Sequence, residues 1–144
     1  VDAIDIKIVD LLAIDSKTTL KDLSERVGLS SSPLQARIKK LEREGIIRGY
    51  VARIDYSKIR RDHIAFVQVT LSDTKASALN DFNIEVGKLK SVEQCHMIAG
   101  SFDYLLKVRT KDINTYREEL AENISALPHV ASTSTFVSMD TVCE

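Results

Sequence analysis

The residues best equipped for chemistry crowd into one stretch, Ser30 to Arg43 (SSSPLQARIKKLER). Ser30, Ser31 and Ser32 put hydroxyls at its start, and Lys39, Lys40 and Arg43 put cations further on. Leu34, Ile38 and Leu41 recur at i, i+4 and i+7, the apolar stripe of a helix. At about 100° per residue, Ser32, Ala36, Lys39, Lys40 and Arg43 then point away from that stripe. Ala36 leaves no bulk to hold such a face off a surface. A helix with small and hydroxyl residues first and cations later suits a DNA major groove. Its first turns approach base edges while Lys and Arg neutralise flanking phosphates. The bland alternative is a solvated helix face whose charges serve solubility.

The surrounding elements favour the first reading. Leu20, Leu23 and Val27 mark one face of a preceding helix. Thr19 and Asp22 form a capping pair at its start, with Asp in place of the usual Glu or Gln. Gly28 suits the left-handed position that ends it. The three serines offer N-cap hydroxyls to the next helix, Pro33 is tolerated in its first turn, and Gly45 closes it. Residues 2–14, with Ile4, Ile8, Leu11 and Leu12 on one face, predict a first helix that completes a three-helix core. Ile46 to Asp55 carries β-branched residues and Gly49, which predicts a short hairpin or wing where Arg48 and Arg53 reach phosphate or simply sit on a strand edge.

The run from Asp22 to Tyr50, DLSERVGLSSSPLQARIKKLEREGIIRGY, closely resembles the winged helix-turn-helix of the Lrp/AsnC (feast/famine) transcription regulators. It departs from many members at Leu34 and Gln35, which bears on operator preference. The expected DNA surface is Ser31, Ser32, Gln35, Ala36, Arg37, Lys39, Lys40 and Arg43 of the helix, with Arg48 of the ribbon.

Charge distribution agrees. The net charge is −1, yet residues 1–61 hold 13 Lys+Arg against 9 Asp+Glu, and residues 62–144 hold 7 against 12. A basic part joined to an acidic part fits a DNA-reading module attached to a sensing module. Cys95 and Cys143 are the only cysteines, far apart and without CxxC spacing, so a disulfide framework is not expected. His63, His96 and His129 are scattered and predict no metal site. No apolar run approaches the ~20 residues that span a bilayer, and no secretory leader opens the chain; a cytoplasmic protein is expected. There is no Gly-rich phosphate loop, GxSxG or HExxH, so an enzyme is not expected.

After a polar, basic hinge (residues 56–63, boundary after 55) the pattern changes. Strand-like runs at 64–71, 92–99, 102–110 and 130–139 alternate with helical spacing over 75–90 and 112–127. The order β-α-β-β-α-β over 64–144 predicts a four-stranded antiparallel sheet with both helices on one face, a ferredoxin-like α/β sandwich, and an α+β class for the whole chain. Helices can cover only one sheet face, and the other carries a mixture of apolar, hydroxyl and charged side chains that suits pairing with a second chain. The Lrp/AsnC resemblance extends over this half. It implies an amino-acid-binding domain, homodimers through the sheet, and further assembly to octamers.

Ala99-Gly100-Ser101-Phe102-Asp103-Tyr104 resembles the family's AGxFDYLL loop, which lines the effector pocket. Gly100 would permit close backbone approach, the peptide N–H groups at Gly100 and Ser101 could take a carboxylate, Asp103 could pair with an α-ammonium, and Tyr104 would supply an aromatic wall. Thr133 and Thr135 match the effector-side positions more loosely. By themselves these residues read as a tight hairpin with Asp103 as a local cap; the resemblance makes an effector site the stronger reading. The expectation is a sequence-specific DNA-binding transcription regulator that responds to a small amino acid and needs no cofactor. The alternatives are a nucleoid-associated DNA-wrapping protein and a stand-alone amino-acid sensor.

Overall fold

Asp2 begins the first helix by a reciprocal arrangement: its carboxylate accepts from the Asp5 N–H at 2.8 Å while the Asp5 carboxylate accepts from the Asp2 N–H at 3.3 Å. In the computed structural model, which describes all 144 residues, this helix is α1, Ala3–Ile14. The chain divides into two units, Val1–Ile54 and Asp55–Glu144. In the first, α2 (Leu20–Val27) starts where Thr19 Oγ1 accepts from the Asp22 N–H at 3.2 Å and ends at Gly28, whose φ of +75° lies in the left-handed region. Then α3 (Ser31–Arg43) ends on a Schellman turn: Gly45 has φ +73°, the Ile46 N–H reaches Leu41 O at 3.0 Å, and the Gly45 N–H reaches Glu42 O at 3.0 Å. Ile8, Leu23, Leu34 and Leu41 form the buried centre of the three-helix core, ringed by Ile4, Leu11, Leu12, Val27, Ile38 and Ile47.

Two local expectations are corrected here. Ser30 occupies the N-cap of α3, but its hydroxyl makes no capping hydrogen bond. The hairpin expected over 46–55 does not form: no strand occurs between α3 and residue 56. Ile46, Val51 and Ile54 have the β-branched chemistry of a strand and are exposed. A ladder needs a second strand, and this unit supplies none. The wing is an unpaired ribbon.

The second unit is a sheet of four strands in the order β2-β3-β1-β4, antiparallel throughout, with β1 His63–Leu71, β2 Val92–Met97, β3 Tyr104–Thr110 and β4 Val130–Val137. The helices are α4 (Ala76–Val86) and α5 (Ile113–Glu119), the latter passing into a π-helical turn, Leu120–Ile124. Strand alternation builds the core. Ala65, Val67, Val69 and Leu71 of β1 and Tyr104, Leu106 and Val108 of β3 pack with Phe82, Val86, Tyr116, Ile124 and Leu127 from the helical layer. This is the expected β-α-β-β-α-β sandwich. On the open face β1 presents Phe66, Gln68 and Thr70 beside Phe136, Ser134 and Ser132 of β4.

The segment read as a hinge is more ordered than its polarity suggests. Tyr56–Ile59 is a 3-10 turn begun by Asp55, whose carboxylate accepts from the Ser57 N–H at 3.2 Å. The Arg109 guanidinium lies 3.9 Å from the centre of the Tyr56 ring and donates to the Arg61 carbonyl at 3.3 Å. A cation over an aromatic face ties residues 56–61 to β3.

Candidate nucleic-acid interface and effector loop

The outward side of α3 is assembled as its spacing predicts. Ser31, Ser32, Gln35, Ala36, Lys39, Lys40 and Arg43 are exposed, as is Arg48 on the ribbon, while Leu34 and Leu41 are buried beneath. Gln35 Nε2 donates to Ser31 Oγ at 3.3 Å, which orients the amide along the first turn. Lys40 has only a loose partner, Glu44 at 4.0 Å, with both side chains well exposed; a pair of that kind contributes little and leaves the cation available. The Ser30 and Ser32 hydroxyls and the Ser31 and Ser32 N–H groups have no protein partner at the start of α3.

Arg37 does not join this face. Its Nη1 donates to both Asp2 carboxylate oxygens, at 2.9 and 2.7 Å, and to Asp5 Oδ1 at 3.0 Å. The helical wheel carries the reason: Arg37 is three residues after Leu34 and four before Leu41, so it flanks the apolar stripe and faces α1. The guanidinium holds the Asp2 carboxyl below its ordinary value, chiefly by hydrogen bonding.

In the second unit the expected two-residue hairpin is a longer loop, Ile98–Asp103, between β2 and β3. Asp103 fixes it. Its carbonyl accepts from the Ile98 N–H at 2.8 Å, its N–H donates to Val69 O at 2.9 Å, and its Oδ2 accepts from the Leu71 N–H at 2.7 Å. One carboxylate oxygen is therefore structural, as the local-cap reading holds, and the other has no protein partner. Gly100 and Ser101 are exposed at the tip, and a side chain at Gly100 would meet only Ile98 Cγ2 at 3.5 Å. Thr133 pairs with the buried Val69 across β1, which turns its side chain to the helical layer and not to the open face.

Tyr104 is no open wall. It is 2 % exposed, its ring centroid is 4.3 Å from that of Phe82, and its hydroxyl donates to Asn83 Oδ1 at 2.6 Å. The alternation Tyr104, Leu106, Val108 against Leu105, Lys107, Arg109 forces this, because the charged residues claim the other face. Thr135 likewise turns to the helical layer, where its hydroxyl is hydrogen-bonded to the Tyr116 hydroxyl. Of the residues that hold these two, Tyr116 lies on the inner face that helical spacing over 112–127 predicts, while Asn83 carries no local sequence signal. Cys95 shares the covered side, and burial pushes its thiol up to about 11. No His, Cys, Asp and Glu residues cluster as metal ligands, and no helix is long and apolar enough to cross a membrane.

Comparison with known proteins covers both units. The sequence model of the winged helix-turn-helix DNA-binding domain matches residues 1–48, and that of the Lrp/AsnC ligand binding domain matches residues 64–144. The chain is 54% identical over 99% of its length, and 92% of the relative's, to a proline dehydrogenase transcriptional activator of Rhizobium radiobacter. It is 39% identical to the leucine-responsive regulatory protein of Escherichia coli, over 98% of this chain and 86% of that one. A transcriptional regulator of Neisseria meningitidis, solved as an L-Met complex, superposes with a TM-score of 0.86 at 30% identity, covering 100% of this chain and 93% of that chain. The chain belongs to the Lrp/AsnC family: it is a DNA-binding transcription regulator with an amino-acid ligand-binding domain, and not an enzyme.

Proposed function

We propose that this regulator activates transcription of a proline dehydrogenase gene, reading its operator with the outer face of α3 and responding to proline at the Ile98–Asp103 loop. The observation that carries the DNA side is the free cationic and hydroxyl face: Ser31, Ser32, Gln35, Ala36, Lys39, Lys40 and Arg43, with Arg48 nearby in sequence, are exposed above a buried apolar stripe. On the effector side, the free Asp103 oxygen would take the ammonium and the Gly100–Ser101 N–H groups the carboxylate, with Thr133 behind them on the covered face of β4. Tyr104 and Thr135 support that site from behind. Proline follows from the relatives named as proline dehydrogenase activators. A gene for a catabolic enzyme is useful when the substrate is present.

The open sheet face supports a homodimer: Phe66 and Phe136 stand paired across adjacent strands at 38% and 54% exposure. Apolar rings so placed are better covered by a second copy than by water. A dimer carries two α3 helices, matching two half-sites; octamers are the further step that the resemblance implies. The protein works beside chromosomal DNA, in the cytoplasm. A thermal-shift series over the proteinogenic amino acids tests the effector, since a ligand of the native state raises the melting temperature. Proline is expected to raise it. A shift with leucine or methionine and none with proline would replace the effector and leave the DNA reading standing.

A further inference from the structure

Arg37 is the cation of α3 that sequence proximity places among the DNA contacts and geometry removes from them. Its guanidinium is gripped by two carboxylates, Asp2 and Asp5, at 2.7 and 3.0 Å, and the three side chains are 31%, 54% and 16% exposed respectively. Those carboxylates are not loose surface groups. Each also accepts a backbone N–H of the other residue, so the cap of α1 orders the acceptors before Arg37 arrives. Ordering by the cap removes much of the side-chain entropy cost that makes ordinary surface pairs weak. The result joins the first turn of α1 to the middle of α3, across a core of only four fully buried side chains.

We propose that Arg37 is a positioning residue: through Asp2 and Asp5 it fixes the attitude of α3 on α1, and it is not a phosphate ligand. A recognition helix must be held to within about 0.5 Å and 10–20° to place its side chains on base edges. Four buried side chains and their partly buried apolar ring hold the helices together without a preferred direction, because hydrophobic packing is not directional. A planar guanidinium bridging two fixed carboxylates is directional.

The proposal rests on α3 being the reading helix, so the test includes a control for that assignment. The full chain and its variants are titrated with a duplex enriched from random DNA by the chain itself, across a salt series. Arg37→Ala is expected to weaken binding about tenfold, a coupling typical of such networks, with the salt slope unchanged. Asp2→Asn with Asp5→Asn should cost the same, although removing negative charge alone would tighten binding to a polyanion. Combining all three changes should add nothing further. A slope reduced by about 0.9 in Arg37→Ala would make it a phosphate contact and overturn the proposal. Undiminished binding by the double asparagine variant would overturn it too. Should Arg37→Ala unfold the first unit, Asp5→Asn alone, whose amide oxygen still caps α1, carries the same comparison. If Lys39→Ala with Lys40→Ala leaves the slope untouched, the α3 assignment itself fails, independently of Arg37.

Discussion

Two faces of the molecule, one in each unit, use Lys and Arg in opposite ways. On α3, Lys39, Lys40 and Arg43 stand exposed, and only Lys40 has a carboxylate near it, at 4.0 Å. On the open face of the sheet, Lys107 and Arg109 have side chains 14% and 10% exposed, and Glu93 and Glu144 pair with both. A count of Lys and Arg therefore says little about where a polyanion could bind; cations already held by carboxylates are poor candidates, and several exposed cations on one helix face are better ones. The largest expected effect tests that contrast. If each of Lys39 and Lys40 meets one phosphate, Lys39→Ala with Lys40→Ala removes about 1.8 from the salt slope, which at 0.1 M salt is a loss on the order of 50-fold. Lys107→Ala should leave the slope alone. Equal slopes for the two variants, read by fluorescence anisotropy, would erase the distinction between the units.

The next effect separates two duties within one side chain. Asp103→Asn keeps an oxygen that can accept from the Leu71 N–H, and so keeps the loop, but removes the charge available to an ammonium. A hydrogen bond between charged groups is worth roughly 1.5–3 kcal/mol, so effector affinity should fall tenfold or more while the unliganded melting temperature holds. Tyr104→Phe is the converse and smaller. It should cost about 1 kcal/mol of stability through the lost bond to Asn83 and leave effector affinity unchanged. A Tyr104→Phe variant that binds proline poorly but melts normally would give the hydroxyl a place in the pocket.

What was legible in the sequence divides along the same line between local and distant causes. Thr19, Gly28 and Gly45 obey rules that operate within one turn, and their caps stand where spacing places them. The succession of strands and helices, β-α-β-β-α-β, followed from alternation, helical spacing and turn residues, while the strand order within the sheet was not read from them. The wing failed because strand chemistry was present without a strand to pair with, a fact about the rest of the unit. The serines failed as caps for the opposite reason: the right residue type does not oblige the bond. Tyr104 and Arg37 were readable in principle, since Lys107 and Arg109 set the parity of β3 and the positions of Leu34 and Leu41 set the wheel of α3. Assigning them by resemblance and by charge overrode those periodicities. The partners Asp2, Asn83 and Tyr116 are far away in sequence; helical spacing over 112–127 places Tyr116 on the inner face, but no local pattern announces which residue any of the three will bond.

Two exposed carboxylates give the smallest and most direct comparison. Asp2 and Glu144 are both held below the ordinary carboxylate range, Asp2 mainly by hydrogen bonds from Arg37 and Glu144 mainly by those from Lys107. A carboxyl depressed in the folded state stabilises that state above its unfolded value, ~3.9 for Asp and ~4.3 for Glu. That contribution fades as pH falls through the lowered folded value. Both contributions are therefore intact at neutral pH and lost only in acid. Carboxyl-carbon NMR titration should show Arg37→Ala raising Asp2 toward the ordinary range while Glu144 is unmoved, and Lys107→Ala doing the reverse, with the Asp5 N–H and Arg109 each keeping part of the depression. If Asp2 stays low without Arg37, the Asp5 N–H that it caps must be the dominant cause, and the clasp between α1 and α3 would be incidental to the cap.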